Sequence, residues 1–214
     1  ASKGFSNNVV EMMTERIRGL GLDTQKILAT AACIGNRFDL VTLAHVGNTN
    51  RASASLALWP AVQEGLVIPV DDMWQTIAAL SGDLTESVLE DFDANYRFVH
   101  DRVQQAAYEL NATDVRSDLH LAIGRSLLGE RSYEEIEDQV FTICNHFGYG
   151  IGRMTDPVER YRLAKLSYIA GKKAKRSAAY GPAIEYFRAG TDLLGDQMWS
   201  DSEGMSHGLA FNLS

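Results

Sequence analysis

The chain has 214 residues, and its 20 Lys and Arg against 28 Asp and Glu give a formal net charge of −8. Hydrophobic residues make up 45% and charged residues 22%, a composition that buries a core without disulfides or metals. With 18 Gly and 4 Pro the chain is neither disordered nor collagen-like, and its acidic balance disfavours a primary role in nucleic-acid binding.

Two isolated cysteines, Cys33 and Cys144, lie in apolar stretches. This context predicts buried, unpaired thiols and a reducing, cytoplasmic compartment. There is no secretory signal and no apolar run near the ~20 residues of a membrane span, so no membrane partner is expected. The first residues resemble the start of an expressed fragment.

Helical patterns open the first half of the chain. Asp23 or Thr24 is predicted to cap a helix that ends at Gly35. Asp39 is predicted to cap a short second helix. Both helices carry apolar residues at helical spacing, which predicts that one side of each is buried.

A third helix is predicted over residues 52–64, where Pro60 indicates a kink or a later start. Short strands are predicted at 66–70 and 96–99. Residues 71–94 lie between them with seven acidic residues and no Lys or Arg. Three helices followed by two short strands predict a winged-helix domain, with these strands forming the wing.

The second half has helical periodicity almost throughout, which predicts antiparallel helix pairs. Gly148, Gly150 and Gly152 are expected to interrupt it, and Asp156-Pro157 predicts a helix start. The helices are expected at 101–111, 114–129, 134–148, 157–178, 181–195 and 201–213.

The pair at 157–178 and 181–195 fits one tetratricopeptide repeat, a 34-residue pattern with small residues where two helices touch. Gly171 at the eighth position places Ala183, Phe187 and Gly190 at the twentieth, twenty-fourth and twenty-seventh. The aromatic of the fourth position is replaced by Ser167. A single repeat cannot bury its own face, so the array is expected to continue beyond Ser214.

Residues 98–108, FVHDRVQQAAY, are the most distinctive stretch. They join the second predicted strand to a helix whose apolar face holds Val103, Ala106 and Ala107. His100 stands just before this helix, where an imidazole can donate a hydrogen bond to a phosphate beside backbone N–H groups. Alternatively, His100 caps the helix or packs against the wing, and the residue types leave both interpretations open.

This stretch resembles the winged-helix region of STAND-class signal-transduction ATPases. It is most similar to large predicted AAA-type ATPases joined to serine/threonine or histidine kinase, GAF and PAS domains, which carry a segment close to F-x-H-D-x-V-Q-Q-A-A-Y. Further stretches resemble the same proteins, at 24–40, 64–67, 120–128 and 170–180. Together they cover about residues 20–200, and they imply a winged helix followed by helical repeats in a signalling protein.

Within that class, the triplet Val99-His100-Asp101 resembles the MHD motif, whose histidine contacts the β-phosphate of bound ADP. The resemblance makes His100 the candidate cofactor-binding residue, acting only together with an ATPase domain. The chain has no G-x-x-x-x-G-K-[ST] pattern, so the phosphate cradle for ATP or ADP is expected elsewhere in a longer parent protein. No cofactor is expected for the chain by itself.

Other chemistry is weakly signalled. The remaining histidines form no i, i+4 ligand pair, so no metal site is predicted, and no catalytic residue is identified. The basic run 172–176 is either a nucleic-acid or localisation patch or, as we favour, a solvated helix face.

A DNA-binding winged-helix transcriptional regulator is the alternative function. It requires a basic stripe, whereas the third helix offers only Arg51 near its start.

These observations predict a mainly α chain with an N-terminal segment (1–19), a winged-helix domain (20–110) and a truncated TPR-like array (111–214). The N-terminal segment is expected to be a linker or a helix from a preceding ATPase domain. Its predicted function is non-catalytic: it couples the nucleotide state of a missing ATPase domain to a helical sensor or scaffold. The expected partners are that ATPase domain and other protein domains, and the interpretation allows a homodimer. Trp74, Trp199 and N-terminal apolar residues are candidates for an exposed contact patch.

Overall fold

The computed structural model describes residues 2–70, 94–129 and 132–194, with side chains from residue 9 onward. Several sequence predictions lie outside the described residues. These are the acidic stretch 71–93, the final helix 201–213, and the patch candidates Trp74 and Trp199.

The described chain is mainly helical with one small sheet. It divides into two compact units, Ala1–Ser126 and Leu127–Ser214. The domain boundaries drawn from the sequence stay predictions. The helices and strands of the first unit run α1 (Ser2–Arg18), α2 (Leu22–Ile34), β1 (Arg37–Asp39), α3 (Leu40–Val46), α4 (Arg51–Gln63), β2 (Val67–Pro69), β3 (Asn95–Phe98), α5 (Asp101–Glu109) and α6 (Thr113–Leu128).

Helix α2 begins one residue before the predicted caps, so that prediction is wrong. Its N-cap residue is Gly21, with no side-chain hydrogen bond. Thr24 is buried inside the helix, and Asp23 lies in the first turn, where the helix dipole favours a carboxylate. The cap of the next helix follows the usual pattern, because Asp39 accepts from the amide of Thr42 at 2.6 Å.

Helix α4 starts at Arg51 and continues through Pro60 to Gln63, so the later start suggested by the proline is wrong. The side chain of Asn50 accepts from the Ser53 amide at 2.7 Å and fixes the start upstream of the proline. Gly65 follows at φ 66, a left-handed conformation that favours glycine, and turns the chain into β2.

The sheet has three antiparallel strands in the order β1-β3-β2. Both predicted strands are confirmed, β2 shorter by one residue at each end and β3 one residue earlier in the chain, but β1 was missed. Three residues between two helices are too few for an alternating pattern to be recognised. The β1 residue Phe38 pairs with Tyr96, and its ring packs against those of Tyr96 and Phe98 at centroid distances of 5.9 and 5.6 Å.

The second unit contains α7 (Tyr133–Gly150), a 3₁₀ turn (Ile151–Arg153), α8 (Pro157–Arg176) and α9 (Tyr180–Leu194). Ser132 and Glu135 form a capping box at the start of α7. Asp156 caps α8 at the predicted Asp-Pro start. Gly148 does not interrupt α7, because a helical glycine costs only about 1 kcal/mol and its neighbour Phe147 is buried.

Helices α8 and α9 approach closely at the small residues that the repeat pattern singled out. A Cβ on Gly171 would lie 2.5–2.8 Å from ring atoms of Phe187. Ala183, Phe187 and Gly190 are all buried. The predicted close contact of these two helices is therefore confirmed, while their assignment to a tetratricopeptide repeat remains a prediction.

Candidate functional site

The apolar half of the FVHDRVQQAAY segment belongs to the core of the first unit. Phe98 ends β3 and is buried. On α5, Val103, Ala106 and Ala107 are buried as well, and the helix packs against α1 and α2. Such placement explains these residue types by folding alone.

The polar half of the segment ties α5 to its surroundings. Asn36 donates to the Asp101 carboxylate at 3.2 Å, and the Gln104 amide donates to the Ala32 carbonyl at 3.2 Å. The Arg102 guanidinium donates to Gln105 at 2.9 Å along the exposed side of α5. Asp101 and Gln104 therefore fix the start of α5 against the end of α2.

His100 is different, because its side chain has no such role. It occupies the N-cap position of α5, and its carbonyl accepts from the amides of Val103 and Gln104 at 2.9 and 3.3 Å. Its imidazole is exposed and makes no capping hydrogen bond. Within the described part of the chain, the imidazole has no hydrogen-bond or charge partner. The capping interpretation of His100 is therefore wrong for the side chain.

The surroundings of His100 suit an anionic ligand. First-turn N–H groups of a helix lack intrahelical acceptors, and the dipole gives that end a partial positive charge. An imidazole beside it can donate one further hydrogen bond. Asp101 opposes an anion there, but its carboxylate already accepts from Asn36. No group of side chains suited to a metal ion was found among the described residues.

A partly buried polar pair at the corner between α5 and α6 was missed at the sequence level. Tyr108 and His120 are joined by a hydrogen bond of 3.1 Å between the hydroxyl and Nε2. The Arg116 guanidinium lies 4.7 Å from the centre of the Tyr108 ring. Burial first, and the Arg116 charge second, lower the pKa of His120. The contact of His120 with Tyr108 joins residues twelve positions apart. The sequence offers no sign of it beyond the helical spacing around both residues.

The basic run on α8 contacts neighbouring residues instead of forming a free patch. The Lys173 ammonium donates to the carbonyls of Glu137 and Asp138 at 2.7 and 3.2 Å. The Arg176 guanidinium pairs with the Glu137 carboxylate, and the Lys172 ammonium lies 5.5 Å from the centre of the Tyr168 ring. The fully solvated face that we favoured is wrong for Lys173, which is partly buried against α7.

Both cysteines are buried, as predicted. Burial raises the pKa of Cys33 to about 11 and that of Cys144 to about 12. Neither thiol therefore ionises near neutral pH, and neither is an activated nucleophile. None of the described helices is both long and apolar enough to cross a membrane.

Comparison with curated proteins gives a match to the hybrid signal transduction histidine kinase G of Dictyostelium discoideum. The two chains are 29% identical over an aligned stretch of 226 residues. The match covers 89% of this chain and 6% of the relative. This chain therefore spans only a small part of that protein's length. No family model and no solved structure matches it. The similarity supports a signalling-related role and a link to a kinase, and nothing in it supports a DNA-binding regulator.

Proposed function

We propose that this chain is a non-catalytic regulatory module of a larger signalling ATPase or kinase. In this proposal, the first unit is a winged-helix domain that reads the nucleotide state of an ATPase domain. The second unit is a TPR-like scaffold that contacts other protein domains. His100 is the residue that senses the phosphate, and ATP or ADP is bound by the ATPase domain of the parent protein.

The observation that carries the proposal is the position of the exposed His100 between two residues that make folding contacts. Phe98 before it is buried and Asp101 after it accepts from Asn36, while the apolar Val99 is 43% exposed. His100 alone offers an exposed donor at the start of a helix that is anchored to α2. A rigidly held helix start with a free imidazole can couple the position of this unit to a phosphate on another domain.

The fold assignments rest on geometry and on the similarity to the histidine kinase. The helices α2, α3 and α4 and the three antiparallel strands follow in the order α2-β1-α3-α4-β2-β3, as in a winged helix. The contact of Gly171 with Phe187 is of the kind a tetratricopeptide helix pair requires. The match to a signal transduction histidine kinase supports the proposed kind of parent protein.

The test is calorimetric titration of ADP into the parent protein, with its ATPase domain, as wild type and as His100→Ala. A hydrogen bond to a charged group contributes about 1.5–3 kcal/mol, so we expect affinity to fall roughly 10- to 150-fold. His45→Ala is the matched control, because His45 is also an exposed histidine of the first unit. It should leave ADP affinity unchanged.

Equal ADP affinity in the wild type and in His100→Ala would remove the sensor role. The module would then be a passive connector and protein-binding scaffold. A similar loss in His45→Ala would point to a general effect of removing a histidine from this unit, and would equally contradict a specific role of His100.

A further inference from the structure

The start of α2 and the start of α4 enclose an open groove of about 580 Å³ on the first unit. Its base is apolar, with Ile27, Ala54 and Ala57. Two leucines stand at its edges, Leu22 on α2 and Leu56 on α4, and they are 73% and 60% exposed. Exposed leucines on both sides of one groove indicate a surface that another molecule covers.

Hydrogen-bond donors without acceptors also face this groove. Gly21 caps α2 without a side chain, and the amides of Leu22, Asp23 and Thr24 have no acceptor in the described part of the protein. These amides give the groove the partial positive charge of a helix start.

Among these donors, the Thr24 hydroxyl gives the strongest evidence for a binding site. Thr24 is only 4% exposed, and within the described residues its hydroxyl has no hydrogen-bond partner. A helical threonine normally donates to the carbonyl four residues earlier, as Thr30 does to Lys26 at 3.0 Å. For Thr24 the residue four earlier is Leu20, which precedes the N-cap Gly21, so no carbonyl of α2 stands in that position.

A buried hydroxyl without a partner is costly unless something else accepts its hydrogen bond. Thr24 lines the groove, so an acceptor bound there would satisfy it together with the free amides. Buried unsatisfied groups of this kind mark positions where a ligand atom belongs.

The charges of the groove limit the kind of acceptor. Lys26 and Asp23 both line it, and neither is buried. One cation, one helix start and one carboxylate suit a singly charged oxygen group better than a phosphate dianion. Nucleic acid is disfavoured, because α4 carries no Lys or Arg after Arg51.

We propose that this groove binds a protein segment that presents one carboxylate beside a leucine-sized side chain. The carboxylate accepts from the α2 amides and from the Thr24 hydroxyl. The apolar side chain packs on Ile27 and Ala57, and the backbone of the segment covers Leu22 and Leu56. A protein segment fits better than a small molecule, because only a long ligand covers both exposed leucines.

The test is a titration of the full chain followed by the backbone amide signals in ¹⁵N-labelled protein. The probe is N-acetyl-L-leucine, and N-acetyl-L-leucinamide is the matched neutral compound. The charged probe should shift the amide signals of Leu22, Asp23 and Thr24, and it should bind about tenfold more tightly than the amide.

Substitutions distinguish the contribution of the Thr24 hydroxyl to binding from the contribution of the shape of the groove. Thr24→Val keeps the side-chain volume and should weaken the charged probe about tenfold. Thr30→Val is the matched control, since Thr30 also lines the groove but its hydroxyl is already bonded. Its affinity should match the wild type. If Thr24→Val does not fold, Leu56→Ala at the exposed edge should still weaken binding several-fold.

Three results would overturn the proposal. The first is equal binding of the two leucine probes, since the carboxylate would then have no role. The second is tighter binding of inorganic phosphate at the same amides, which would indicate a phosphate site. The third is saturation by N-acetyl-L-leucine below about 10 μM, an affinity that needs no protein segment and would indicate a small-molecule pocket.

Discussion

The contact between α8 and α9 and the start of α5 are opposite kinds of region. At the helix contact, Gly171 lies against the Phe187 ring and leaves no room for a further carbon atom. At the start of α5, the His100 side chain is exposed and makes no hydrogen bond within the described residues. Substitutions in the first region should change the stability of the protein, and substitutions in the second should change binding. This difference distinguishes packing residues from functional residues.

The largest expected effect is at the helix contact. Gly171→Ala should lower the free energy of unfolding by about 2 kcal/mol, because the new Cβ meets a ring that is itself buried. Denaturation in urea measures it. Gly181→Ala on α9 is the matched control, since a Cβ there has nothing within 4 Å. It should be neutral or stabilising by up to about 1 kcal/mol. Equal effects of the two substitutions would contradict the close contact.

A smaller effect is expected at the partly buried pair of Tyr108 and His120. Tyr108→Phe removes the hydrogen bond to Nε2 and should cost about 1 kcal/mol at neutral pH. The measurement is the free energy of unfolding at neutral pH, with Tyr180→Phe as a control on an exposed tyrosine. No change in Tyr108→Phe would mean that the hydrogen bond contributes nothing to stability.

The same pair also predicts a pH dependence. The pKa of His120 is lowered in the folded chain, so the unfolded chain binds its proton more readily. Stability should therefore be fully present above the unfolded value of about 6.5 and should fall as the pH drops through it. His120→Gln should flatten that part of the pH profile, and an unchanged profile would contradict the assignment.

The smallest expected effect on stability is at the start of α5. His100→Ala should change the free energy of unfolding by less than about 0.5 kcal/mol, because its side chain caps nothing. Ser132→Ala in the second unit is the contrasting substitution at a helix start. Its hydroxyl belongs to the capping box of α7, and its loss should cost about 1 kcal/mol. A large loss in His100→Ala would make His100 a structural residue.

Much of the fold followed from local patterns. Asp39 and the Asp156-Pro157 start were predicted because capping is a property of a few adjacent residues. The approach of Gly171 to Phe187 was predicted because helix spacing fixes which residues face each other. The strand β1 was not found, because its pairing with β3 joins residues almost sixty positions apart.

For the candidate sites, the sequence identified residues of interest but did not show which of their polar groups lack a hydrogen-bond partner. It singled out His100, and it could not show that the imidazole leaves its own helix uncapped. It suggested Thr24 as a cap, whereas the structure buries Thr24 beside a groove.

By itself, then, the sequence determined the helices from α2 onward, most of their ends, and the tight contact of α8 with α9, whereas it left residues 1–19 open between a linker and the helix α1. Tertiary structure decided which polar groups find partners. The Thr24 hydroxyl lacks one because α2 begins at Leu22 and places no helical carbonyl four residues before Thr24, and His120 has one because the corner after α5 brings Tyr108 to it. A hydrogen bond depends on distances and angles between groups that folding brings together, and periodicity alone does not specify these.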